Sequence, residues 1–239
     1  MYEVQLPTPF LRLLGPFRLE GPHGPVAVQL PGRRVLAFLA LSGPVSRSVL
    51  AGTLWPDVTE DHAHGSLRSA LWRLHRGMQP VIHSYGKTLS LHEAVTVDVP
   101  TFSRMALGIV NSAAAPGDDP YQGLLFDGDL LPGWDDEWVV FERERLRQLR
   151  LHALETLSVL LARRGQYALA LDVALTGVSL EPLRESGHRA VVAVHLAERN
   201  TAEAVRHYEA YRRMATTELG LAPSPEFTGI LPSGTLDTR

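Results

Sequence analysis

One stretch constrains the fold more than any other. Between Thr59 and Met78 the large apolar residues Leu67, Leu71, Leu74 and Met78 recur at steps of four, three and four. That spacing puts them on one side of an α-helix, the side to be buried. The opposite side carries Gly65, Arg68, Ser69, Trp72 and Arg76, with Arg73 and His75 on the flanks. Glu60 and Asp61 fall in the first turn, where negative charge suits the helix dipole, and no acidic residue follows before Met78. The segment therefore predicts an amphipathic helix whose polar face is cationic and includes a tryptophan.

The neighbouring residues give this helix a setting. Phe10–Leu14 and Phe17–Glu20 read as strands, Gly21–Pro25 as a turn, and Val26–Leu30 as a return to extended chain. Apolar residues Val35, Leu36, Leu39 and Ala40 predict a helix over Arg33–Leu41. Pro44 breaks it, and Ser46 is the natural N-cap of a second helix, Arg47–Leu54, which Pro56 ends. After the third helix, Val81–His83, the polar turn Ser84–Lys87 and Thr88–Leu91 predict a hairpin. Strands, three helices and a closing hairpin describe a winged helix-turn-helix.

From residue 101 the pattern is helical. Asn111–Pro120 is small and polar, a loop, and Gly123–Gly133 is glycine-rich and irregular. Helices are expected over Asp135–Arg163, Gln166–Leu180, Arg184–Glu198 and Thr201–Leu219. Ala168, Ala170 and Leu171 recur 34 residues later as Ala202, Ala204 and Val205, the period of tetratricopeptide (TPR) helix pairs. The expected fold is mainly α with a small β component. Residues 1–98 form a winged helix domain, 99–230 an all-α TPR-like domain, and 231–239 a flexible tail.

The net charge of −3 argues against a nonspecific nucleic-acid coat. The charge is divided, however: residues 1–100 hold nine Lys/Arg against seven Asp/Glu, and residues 101–239 fourteen against nineteen. No apolar run approaches the length of a membrane span, and the N-terminus lacks the features of a signal peptide. With no cysteine, neither disulfides nor thiolate chemistry enter. These features suit the cytoplasm and no membrane. His62 and His64 are two residues apart, on different faces of a helix, so no metal site is expected. Gly128–Gly133 lacks phosphate-loop spacing. No nucleophile, base and orienting group occur together, so no catalytic residues, no cofactor and no enzyme are expected.

The cationic helix has two readings. An outer face with three arginines can be ordinary solvated surface. Following two short helices and preceding a hairpin, it matches instead a recognition helix, which fits the DNA major groove. On that reading Arg68, Ser69 and Trp72, with Arg73 beside them, read bases, while Arg76, Arg47 and Lys87 contact phosphates. Arg33 and Arg34 are weaker phosphate candidates. Trp72 can instead be buried against the hairpin or the second domain, and the Tyr85-Gly86-Lys87 loop can be a plain turn. Trp55 is expected in the core, and Trp134 and Trp138 in the packing of the second domain.

A family resemblance adds to this. Leu13-Leu14-Gly15-Pro16-Phe17 resembles the opening strand of the SARP-type activators, the antibiotic regulatory protein family. Val45-Ser46-Arg47-Ser48-Val49-Leu50 with Leu54-Trp55-Pro56-Asp57 is similar to their second helix and its exit. Leu67-Arg68 with Arg73-Leu74-His75-Arg76 is similar to their recognition helix, except that His75 stands where the family has arginine. Val97-Asp98-Val99 with Phe102 resembles the junction to the next domain. Trp138, Glu142-Arg143-Glu144-Arg145-Leu146, Glu181-Pro182-Leu183-Arg184-Glu185, His188, Tyr208, Glu218-Leu219-Gly220 and Pro223-Ser224-Pro225-Glu226 resemble the bacterial transcriptional activator domain (BTAD). The resemblance implies an OmpR-like winged helix fused to a TPR-like domain. It also implies a regulator of secondary metabolism that binds promoter direct repeats in double-stranded DNA as a homodimer. RNA polymerase, including its sigma factor, is the implied partner. The alternative is a TPR-like protein-interaction module whose winged helix no longer reads DNA.

Overall fold

The computed structural model describes residues 8–77, 81–111 and 128–232. Residues 112–120 of the expected loop, residues 123–127 of the glycine-rich stretch, Met78 and the last seven residues lie outside the described residues, while Asn111, expected in the loop, ends a helix. Two compact units result. Residues 8–77, 81–101 and 128–143 form one, and residues 102–111 and 144–232 the other. The segment 128–143, expected with the second domain, thus packs in the first.

The first unit begins with β1 (Phe10–Arg12), β2 (Arg18–Gly21) and β3 (Gly24–Pro25). β1 pairs antiparallel with β2 and parallel with β7 (Thr96–Val97). The extended return expected at Val26–Leu30 forms no strand there: the paired residues are Gly24–Pro25, inside the expected turn. Val26 N–H donates to Leu19 O at 2.8 Å, and α1 (Leu30–Ser42) starts at the last residue of the expected extended stretch. Pro31 explains the early start, because proline suits the first helical turn, where its missing N–H is not needed.

The helical core follows the sequence closely. α2 (Arg47–Leu54) is capped by Ser46, whose hydroxyl accepts from Val49 N–H at 3.3 Å. Ser46→Ala should therefore lower stability by about 1 kcal/mol, read as a shift of the urea midpoint. α3 (Glu60–Gly77) packs on α1 and α2. Gly32 on α1 makes the contact with α3 close: a Cβ there would meet Leu74 Cδ2 at 3.1 Å. The wing is β5 (Ile82–Tyr85) and β6 (Thr88–Leu91), joined by Gly86-Lys87 and completed by β4 (Val45–Ser46) in the order β4-β6-β5. The turn is two residues rather than the four expected. Gly86 carries it with φ of 58°, a conformation side chains resist and hairpin turns require.

Residues 128–143 close this unit. Gly15 N–H donates to Asp129 O (2.8 Å) and Leu131 N–H to Leu13 O (2.9 Å), and Leu130 and Leu131 are buried. Leu131 is left-handed, with φ of 44°. Arg143 holds the bend: its guanidinium donates to the carbonyls of Leu130 (2.7 Å), Leu131 (2.7 Å) and Trp134 (2.9 Å). Trp134 stacks on Phe17 with centroids 6.2 Å apart, and Trp138 meets Phe38 edge-on at 5.2 Å. Both tryptophans therefore serve the first unit, not the second as expected. Trp55, expected in the core, is half-buried at the C-terminus of α2.

α4 (Asp98–Asn111) and α5 (Glu137–Arg163) each give their first turns to the first unit and the rest to the second. The second unit continues with α6 (Tyr167–Leu180), α7 (Glu185–Ala197), α8 (Thr201–Leu219) and the short α9 (Pro225–Thr228). α7 packs against both α6 and α8. The 34-residue repeat is visible in burial. Ala170 and Ala204 are fully buried, Leu171 and Val205 half-buried, Ala168 and Ala202 exposed. Only the middle alanine of each triplet lies in the packed interior. Val192, Tyr208, Tyr211, Phe227 and Leu231 form one core cluster. Leu231, expected in a flexible tail, belongs to that core.

Several motif residues of this unit have structural tasks. The Glu185 carboxylate accepts from Ser224 N–H at 2.9 Å and from the Ser224 hydroxyl, while Ser224 Oγ accepts from Phe227 N–H at 3.1 Å. Arg184 pairs with Glu155 at 2.7 Å. Gly220 ends α8 in the left-handed conformation. These contacts pin α9 and its Phe227 against the helices before it.

Candidate nucleic-acid interface

α3 has the two faces that its spacing requires. Leu67, Leu71 and Leu74 are buried, joined by Ala63 and Ala70. Arg68, Ser69, Trp72, Arg73 and Arg76 are all exposed. Burying three leucines fixes the helix rotation, so the arginines have no choice but solvent or a ligand.

Trp72 is 58% exposed and is not covered by the hairpin. The guanidinium of Arg76 lies 4.8 Å from its ring centroid, a cation–π contact one helical turn long. The pair presents a flat aromatic surface with a charge fixed above it. Arg73 is held differently: it donates to the Gln29 side chain at 2.8 Å, at the N-cap of α1. Arg68 has neither contact, and the nearest space beside it is kept open by Gly65. His75, at the position where the family has arginine, turns back on its own helix and donates from Nδ1 to Leu71 O at 2.7 Å.

The wing brings two further site residues together. Arg47 N–H donates to Lys87 O at 2.9 Å, and the Arg47 guanidinium donates to Ser84 Oγ at 3.0 Å. Lys87 is exposed at the hairpin tip beside Tyr85, which is 80% exposed. The backbone of Arg47 thus meets that of Lys87 in the wing turn, while its guanidinium reaches Ser84 on the wing. Arg33 and Arg34 are engaged elsewhere. Arg33 donates to Val28 O at 2.6 Å, and Arg34 forms an ion pair with Asp136.

Sequence reasoning missed Gln29 and Ser84. Both are short polar residues with no periodic signal, and both act on arginines 44 and 37 positions away. Tyr85 carried a signal, as a large aromatic residue in a turn. Among the described residues no group of three potential ligands could hold a metal ion. No helix among them is long and apolar enough to cross a membrane.

Comparison with known proteins agrees with this architecture. Residues 122–230 match the bacterial transcriptional activator domain family. The fold is similar to that of Mycobacterium tuberculosis EmbR, solved in complex with a low affinity phosphopeptide, with a TM-score of 0.69 and 17% identity. The alignment covers 93% of this chain and 64% of that one, so the chain spans less than two thirds of its length. No curated protein matches the chain. An N-terminal winged helix is thus followed by residues 122–230, which match the bacterial transcriptional activator domain family, in a fold similar to that of EmbR.

Proposed function

We propose that this chain is a SARP-type transcriptional regulator, an activator that binds promoter direct repeats in double-stranded DNA as a homodimer and recruits RNA polymerase through contacts that include the sigma factor. The observation that carries the DNA-binding step is the exposed cationic face of α3, free of carboxylates after Asp61, on a helix whose other face is locked in the core. Arg68 and Ser69 are the base readers, with Arg73 oriented beside them by Gln29. Trp72 packs on a thymine methyl or on sugar. Arg76, Arg47 and Lys87 neutralise phosphates and set the register.

A bidentate Arg–guanine contact gives roughly 1–3 kcal/mol of discrimination. Arg68→Ala should therefore weaken specific binding by about tenfold or more without lowering the melting temperature. Lys87→Ala should weaken all sequences alike and reduce the slope of log affinity against log salt by about one. The measurement is selection of genomic upstream fragments on the purified protein, followed by titrations across salt. If no upstream fragment binds at low salt, the winged helix does not read DNA and the second unit is the working part, as a protein-interaction module.

A further inference from the structure

The first unit carries a second surface, distinct in chemistry from α3. A groove of about 1220 Å³ opens between α1, the α2–α3 connection and residues 133–142. Its floor is aromatic: Phe38, Trp55, Trp134, Trp138 and Phe141. Its rim is acidic: Asp57, Asp135, Asp136, Glu137 and Glu142. Arg34 is the only cation among its described lining residues, and it is paired with Asp136. Phe141 is 72% exposed, Leu30 62% and Val58 47%. Large apolar groups left in water side by side mark a surface that another molecule covers.

We propose that this groove docks a basic amphipathic helix of a protein partner. Three arguments select that occupant. The space, about 1220 Å³, exceeds the about 300–1,000 Å³ of small-ligand pockets, which suits a helix roughly 10 Å across. The apolar stripe of such a helix meets the aromatic floor, and its Lys or Arg flanks meet the carboxylates and can sit over the tryptophan faces. The same carboxylates repel phosphate, so the groove is not an extension of the DNA surface. A second copy of this chain is a poor fit. Its own cationic helix, α3, has its leucine face buried in its own core and offers no free apolar stripe. No lining residue of the groove comes from α3 or the wing, so occupancy does not require DNA and the test stands apart from the DNA-binding reading.

The test uses the whole chain, without DNA, and two synthetic peptides of about 15 residues and equal Lys/Leu composition. In one peptide leucine forms a helical stripe; in the other the order is shuffled so that no stripe forms. Binding is read by peptide anisotropy and by tryptophan emission in a Trp72→Phe background, which leaves the groove tryptophans as reporters. The striped peptide should bind, with the shuffled one at least about tenfold weaker. Phe141→Ser and Asp57→Lys, both exposed positions on different elements, should each cost the striped peptide at least about tenfold, with melting curves unchanged. Arg68→Ala should leave peptide binding unaltered. Equal affinity for the two peptides, or binding indifferent to both groove variants, overturns the proposal. So does self-association of the wild type that Phe141→Ser abolishes, because the groove is then covered by a second copy.

Discussion

Asp98→Ala should destabilise the winged unit by about 3–5 kcal/mol, the largest effect expected of any polar substitution in it. The carboxylate accepts from Leu13 N–H through both oxygens, at 3.0 and 2.9 Å, and from Leu14 N–H at 2.9 Å. It also accepts from Val99 N–H at 2.8 Å, at the start of α4. Leu13 and Leu14 are buried, so their N–H groups find no water when the acceptor is removed. Each orphaned donor costs roughly 1–3 kcal/mol, and the lost first-turn charge adds to that. Asp98→Asn keeps one acceptor oxygen and the size of the side chain, and should fall between wild type and alanine. Urea unfolding followed by far-UV circular dichroism measures both. An alanine variant within about 1 kcal/mol of wild type would show that Leu13 and Leu14 find other acceptors. The two motifs that resemble the family's opening strand and domain junction are thus the two ends of one hydrogen-bonded clasp.

The second large effect is on pH. His188 Nε2 donates to Pro182 O at 2.8 Å, which leaves Nδ1 as an acceptor for His207 Nε2 at 3.0 Å. Tyr211 lies against the His188 ring with centroids 4.5 Å apart. Burial pushes the His188 pKa down, opposed by its bond to the Pro182 carbonyl. Burial first, then the neighbouring His188 and His195, lower the His207 pKa to about 4. Burial first, then the charge of Glu185, raise the Tyr211 pKa. Both histidines therefore favour the neutral form when folded, and the unfolded chain binds more protons below its ordinary pKa of about 6.5. Stability is full above pH 6.5 and is lost as pH falls from there towards 4. His207 is only half-buried, so solvent screens its share of the loss, which is on the order of 1–2 kcal/mol at the acid end. Urea midpoints at pH 7.5 and 5 should diverge in the wild type, and much less in His207→Gln. Equal acid sensitivity in the two proteins would remove this pair as the cause.

How much of this was legible in the residues depends on the range over which each interaction acts. The leucine period at 67, 71 and 74 is local, and the structure buries those residues and exposes Arg68, Ser69, Trp72, Arg73 and Arg76. Ser46 before an apolar run is a local capping signal, and it caps. Thr201–Leu219 has the expected bounds, and Gly220 ends it in the left-handed conformation. The errors are of another kind. Trp134 and Trp138 lie at the entrance to a long helix of the activator domain, and chain order assigned them to it. Their partners Phe17 and Phe38 are about a hundred residues away, and nothing in a one-dimensional pattern names them. The segment 128–143 was misplaced for the same reason: its pairing with Leu13–Gly15 is made by backbone groups, which carry no residue-type signature.

The cationic helix shows both sides of that division. Its sequence alone determined that a helix forms, which face enters the core and which residues remain outside, because a 3.6-residue period and a dipole-matched first turn are properties of the segment itself. The tertiary structure decided what those outer residues can do. It tied Arg73 to Gln29, stacked Arg76 on Trp72, left Arg68 open and joined Arg47 to the wing through Ser84 and Lys87. It also built the acid-rimmed aromatic groove from three separated stretches of chain. Side-chain reach is a few ångströms, and only the folded backbone determines which residues fall within it.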